Sequence, residues 1–128
     1  MTGTGNSHYP SDWRAIAAKD LSRVRRNLSE GDIEAAAFFL QQALEKHLKA
    51  FLLGHGWRLQ RVHTLTILLD FAVERLPELE SSRGLCERVT GYYFTERYPQ
   101  LLPSGLTIED IERDLAEAET FVQTLTRT

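Results

Sequence analysis

From Ser11 to the end of the chain, apolar residues recur at intervals of three and four. No stretch alternates with a period of two, and no Asn-Gly or Asp-Gly hairpin pair occurs. This pattern predicts an all-α protein, an up-and-down bundle of about five helices. The first helix is expected to start at Ser11 or Asp12, either of which can cap it, and to carry the stripe Trp13, Ala17, Leu21, Val24, Leu28 before Gly31. The second is expected from Asp32 to Gly54, about 34 Å long. Its apolar surface (Ala35 to Leu40, then Ala43, Leu44, Leu48, Phe51, Leu52) is too broad for a one-sided amphipathic helix, so it should pack on more than one side. Gly54-His55-Gly56 supplies a left-handed stop.

A third helix is expected from about Thr64, with Leu65, Leu68, Leu69, Ala72 and Leu76 on one face, ending at Pro77. A fourth carries Leu79, Cys86, Val89, Tyr92 and Tyr93 and stops before Pro99, where an irregular loop, Tyr98 to Gly105, begins. The last opens with Thr107 and Asp110 in capping-box spacing and continues as Ile108, Ile111, Leu115, Ala118, Val122, Leu125. Such a narrow seam suits a helix laid on the bundle or on a partner helix.

At 128 residues the chain is the size of one domain, read as a flexible polar segment over 1–10 and a helical domain over 11–128. Hydrophobic residues at 42% and charged residues at 26% support a compact core. A net charge of −3 gives no general attraction to phosphate backbones. Local sites remain open at Arg23, Arg25 and Arg26, and at Lys46, Lys49, Arg58 and Arg61, although the first group is more simply explained by cations near a helix C-terminus. Cys86 is the single cysteine, which excludes an intrachain disulfide and a Cys-rich zinc site. The N-terminal residues do not read as a secretory signal and no apolar run reaches membrane-spanning length, so a cytoplasmic, membrane-free protein is expected. His8, His47, His55 and His63 form no recognisable metal-ligand spacing, and no phosphate-binding glycine loop or nucleophile elbow occurs; neither metal nor cofactor is expected.

Candidate chemistry gathers in the middle of the chain. Glu45 and Lys49 stand one helical turn apart, acid first, either as an ordinary exposed ion pair or, with Lys46, as the lining of a pocket for a phosphate or a partner's acidic group. His63 precedes a helix start, where it can orient the loop, hold a ligand or move a proton. Arg97 and Tyr98 end the fourth helix, as a cap or as a phosphate-binding pair at a cleft. Trp57 and the run Tyr92-Tyr93-Phe94 suit either a core or a surface on which a base stacks.

Three stretches carry a family resemblance: Phe38-Phe39-Leu40-Gln41-Gln42-Ala43-Leu44-Glu45-Lys46-His47-Leu48-Lys49-Ala50, then Val62-His63-Thr64-Leu65, then Arg97-Tyr98-Pro99, with Asp20-Leu21 in the first helix. In these the chain resembles the HEPN domain family. The resemblance implies a bundle like that of nucleotidyltransferase substrate-binding proteins, four helices plus an extra one. It also implies a homodimer, and pairing with a minimal nucleotidyltransferase in a toxin-antitoxin-type system, with nucleotide or RNA as the ligand class. Many members are metal-independent ribonucleases with an Arg followed four to six residues later by His, late in the bundle. Here no histidine follows His63, and the one Arg-x4-His spacing, Arg58 to His63, falls between the second and third helices. The expectation is therefore an interaction module with ligand-binding candidates Glu45, Lys46, Lys49, His63, Arg97 and Tyr98. The alternative is an atypical ribonuclease whose candidate catalytic residues are Arg97 and His63.

Overall fold

A computed structural model describes residues 7–97 and 105–127, with side chains over 7–92 and 105–127. The described residues form five α-helices: α1 (Pro10–Ser29), α2 (Ile33–Gly54), α3 (Leu65–Arg75), α4 (Arg83–Arg97) and α5 (Ile108–Thr126). A 3₁₀ helix, Pro77–Ser82, joins α3 to α4. None of these helices is long and apolar enough to cross a membrane.

The long second helix is the axis of the molecule. It touches α1, α3, α4 and α5, which is why its apolar residues are not confined to one face. Leu40, Leu44, Leu48 and Leu52, one turn apart, are completely or almost completely buried. Both of its ends are set by local chemistry. Asp32 caps the start, its carboxylate accepting from the Ala35 amide at 3.1 Å. At the far end Gly56 takes φ +88°, the Gly56 amide donates to the Leu53 carbonyl and the Trp57 amide to the Leu52 carbonyl, a Schellman stop. The end of α1 repeats the device, with Gly31 at φ +75° and the Asp32 amide donating to the Asn27 carbonyl at 2.9 Å.

Three details depart from the sequence expectations. First, α1 begins at Pro10 with Tyr9 as its cap residue, not at Ser11 or Asp12. Proline's fixed φ and missing N–H suit the first helical position, so the helix gains a turn's start there. Second, Leu79 belongs to the 3₁₀ helix and not to the fourth α-helix. Third, α5 is rotated. Its buried seam is Ile111, Asp114, Ala118, Phe121, Leu125, while Leu115 and Val122 are only partly covered. The Thr107–Asp110 capping box forms as expected, with 3.0 and 3.1 Å reciprocal bonds.

Candidate functional site

Glu45 is the centre of a polar cluster on α2. Its Oε2 accepts from Lys49 Nζ at 2.8 Å and from His63 Nδ1 at 2.8 Å, while Oε1 accepts from Gln41 Nε2 at 3.3 Å. Gln41 Nε2 also donates to the His63 carbonyl at 3.2 Å, so helix and loop are tied twice at this point. Gln42 Nε2 in turn donates to Gln41 Oε1 at 2.7 Å. Of the two sequence readings of Glu45 and Lys49, the exposed surface pair is overturned: their side chains are 7% and 3% exposed. Trp13 of α1 accounts for part of this, because its ring lies 5.3 Å from Lys49 Nζ and shields the ammonium by a cation–π contact.

Lys46 does not join Glu45. It reaches across to α1, where its Nζ meets Asp20 Oδ2 at 2.7 Å while Arg23 meets Oδ1 at 2.7 Å. Asp20 is 2% exposed, and Arg23 also lies over the Phe39 ring at 5.6 Å. The two carboxylates therefore fix three cations, leaving the Arg23 guanidinium and the His63 ring as the solvent-facing parts, the latter 66% exposed. A carboxylate on Nδ1 selects the orientation of the imidazole and leaves Nε2 without a partner among the described residues.

A second buried carboxylate joins α4 to α5. Asp114 is fully buried and accepts from the Tyr92 hydroxyl and, at 3.0 Å, from Arg88 Nε. Arg88 clasps both oxygens of Glu117 at 2.9 Å. Burial first, and then the neighbouring carboxylate, hold the Tyr92 hydroxyl far above its ordinary pKa, so it remains a donor. Tyr92 is thus a bundle residue and not part of an open stacking surface, and Trp57 packs its ring against Phe71 at 5.9 Å.

The candidates from the sequence therefore separate. Glu45, Lys49 and His63 converge; Lys46 lies in the adjacent Asp20 cluster. Arg97 is the last residue of α4, with its side chain outside the described part, and Tyr98 lies outside the described residues altogether. Asp114 was not singled out from the sequence, and Trp13 and Gln41 were noted there only in the α1 stripe and in the stretch carrying the resemblance, not as site residues. For Asp114 the available signal was a carboxylate at a three-four seam position, and for Gln41 a polar residue one turn before Glu45 on a helix otherwise rich in apolar residues.

This arrangement can be set beside known proteins. The crystal structure of TT1696 from Thermus thermophilus superposes with a TM-score of 0.76 at 24% identity, covering 98% of each chain. The crystal structure of ST0689, an archaeal HEPN homologue, gives 0.73 at 24% identity, covering 92% of this chain and 95% of that one. At such identity these two likenesses establish the fold. No curated protein matches the chain. The HEPN domain family model, however, matches residues 10–128, from the first residue of α1 through all five helices and both carboxylate clusters. The chain belongs to the HEPN domain family.

Proposed function

We propose that this protein is a HEPN interaction module that works as a homodimer and, in that form, as the partner of a minimal nucleotidyltransferase in a toxin-antitoxin-type system. The observation that carries the reading is a stripe on α2. Within a helix that is mostly buried, Ala35, Phe38, Phe39, Gln42 and Lys46 follow one another at helical spacing and are each only partly covered. Two adjacent aromatic rings, 5.4 Å apart edge to face and flanked by Arg23, have the composition of an interface centre.

A second copy of the chain suits this stripe because its centre is aromatic and Lys46, the cation within it, is already held by Asp20. In a twofold pairing, residue i of one copy meets j of the other and j meets i. Antiparallel α2 helices crossing near Phe39 set the Phe38 and Phe39 rings of the two copies against each other. Phe38→Asp is expected to weaken the dimer about thirtyfold, since losing a central aromatic anchor costs about 2 kcal/mol or more. Light scattering after gel filtration reads this directly. A wild type that is monomeric at micromolar concentration, or a Phe38→Asp dimer as tight as the wild type, rules out the stripe as the interface.

One observation favours the second reading, a metal-independent ribonuclease. The Glu45 carboxylate orients His63 with its other ring nitrogen unpartnered among the described residues, as a general acid-base group requires. The discriminating measurement is cleavage of a labelled RNA pool in EDTA by wild type, His63→Ala and Arg97→Ala, all shown to be folded. The interaction module predicts no cleavage by any of the three. Cleavage by wild type that either substitution abolishes overturns it in favour of the enzyme.

A further inference from the structure

On the side of α2 turned away from Glu45 the bundle holds a cavity of about 340 Å³ between the start of α1 and the ends of α2 and α5. Residues two apart on a helix point about 200° apart, which places His47 opposite Glu45 and Lys49. His47 lines this cavity, is 6% exposed, and its Nε2 has no hydrogen-bond partner among the described residues. An unsatisfied buried ring nitrogen is costly in a folded protein and calls for an explanation. Arg14 lines the same cavity and makes no ion pair among the described residues, unlike Arg23, Arg25, Arg83 and Arg88. Its guanidinium is close enough to disfavour a proton on His47, so the cavity offers the Arg14 charge beside a neutral imidazole that can donate through one ring N–H.

On α1 and α2 the neighbouring negative groups are already compensated. Asp20 also faces His47, but Lys46 and Arg23 hold its two oxygens. Three of the last four carbonyls of α2, at the negative end of that helix, are occupied. Phe51 accepts from His55 Nδ1 at 2.8 Å, Leu52 from the His55 and Trp57 amides, and Leu53 from the Gly56 amide. The cavity is larger than a bare oxyanion needs, and the rest of its wall includes Phe51 and Leu125.

We propose that this cavity binds a small organic oxyanion, its carboxylate or phosphomonoester held by Arg14 and the His47 imidazole and its body lying against Phe51 and Leu125. The site is independent of the α2 stripe and of any partner, so it stands or falls separately from the reading above. A charge-assisted bond from a guanidinium is the strongest single contact available here, and its planar fork suits either anion.

The test is calorimetry and amide chemical-shift mapping on the full chain with four probes: adenosine monophosphate, benzoate, inorganic phosphate and adenosine. Expected is binding of the monophosphate or benzoate at millimolar concentration or below, with shifts at Arg14, His47, Phe51 and Thr126. Which of the two binds tells a phosphomonoester from a carboxylate. Inorganic phosphate, lacking a body, should bind more weakly, and adenosine, lacking the anion, not at all. Arg14→Gln, at an exposed position whose loss leaves the core intact, should weaken binding about tenfold, and Arg14→Lys should weaken it less. The proposal is overturned if neither organic anion shifts the cavity residues at about 10 mM. It is equally overturned if adenosine or inorganic phosphate binds as well as the organic anions, or if Arg14→Gln leaves the affinity unchanged.

Discussion

Glu45→Ala lowers the unfolding free energy by about 3–5 kcal/mol, the cost of leaving a buried charge uncompensated. The alanine removes the carboxylate that both Lys49 and His63 share, and Lys49, with 3% of its side chain exposed, cannot turn to water without displacing Trp13. Urea denaturation followed by circular dichroism measures the loss. The companion variant is Glu45→Leu with Lys49→Met, which removes both charges and keeps their volume. It should recover most of the deficit, because two apolar side chains of similar size often replace a buried ion pair at no net cost. A single substitution costing less than about 1 kcal/mol would mean that Lys49 reaches solvent and that the pair behaves as a surface one.

Acid exposes a second large effect, at His47. Burial is the main cause, and the nearby Arg14 charge the next, of a pKa lowered from 6.5 to about 4, with Asp20 opposing. The unfolded chain takes up this proton first as the pH falls, so the unfolded state binds more protons between those two values. Stability is therefore intact above pH 6.5 and falls toward pH 4. The slope approaches about 1.4 kcal/mol per pH unit and the total is roughly 3 kcal/mol. Other groups titrate in this range, so the informative quantity is the difference between wild type and His47→Leu, which cannot titrate there. The difference should narrow steadily from pH 7 to pH 4 in favour of the variant, read by denaturant midpoints at each pH. Parallel profiles would show that His47 is hydrated in the folded state.

What the sequence allowed to be read follows from where the information is stored. The ends of α2 were legible because Asp32 and Gly56 act on backbone groups within a few residues. The stripe of α1 was legible because Trp13, Ala17, Leu21 and Val24 are apolar and inward alike. In α5 the same logic failed. Leu115 and Val122 are apolar yet half-covered, while Asp114 turns inward to meet Tyr92 and Arg88, partners on another helix that no local pattern announces. The 3₁₀ helix escaped because six residues are too few to distinguish a repeat of three from one of 3.6.

The site divides in the same way. The spacing of Glu45 and Lys49 was visible, whereas their burial depends on Trp13 and on the loop carrying His63, both distant in the chain. The HEPN resemblance drew attention to His63, and the structure supplies its partner. Asp20 was noted only as part of that resemblance; its two cations come from the next turn of its own helix and from α2.

The two left-handed glycine stops have a consequence for how the chain reaches this structure. Only Glu30, Gly31 and Asp32 separate α1 from α2, yet these helices share the most extensive packing in the molecule. Closing so short a connection costs little chain entropy, and the reward is gained between residues close in sequence. The α1–α2 hairpin is thus the part able to assemble first, with the Asp20–Lys46 bridge already inside it. The helices α3 to α5 then have a preformed ridge of leucines to condense upon, so destabilising changes in the hairpin should slow folding while those in α5 chiefly hasten unfolding.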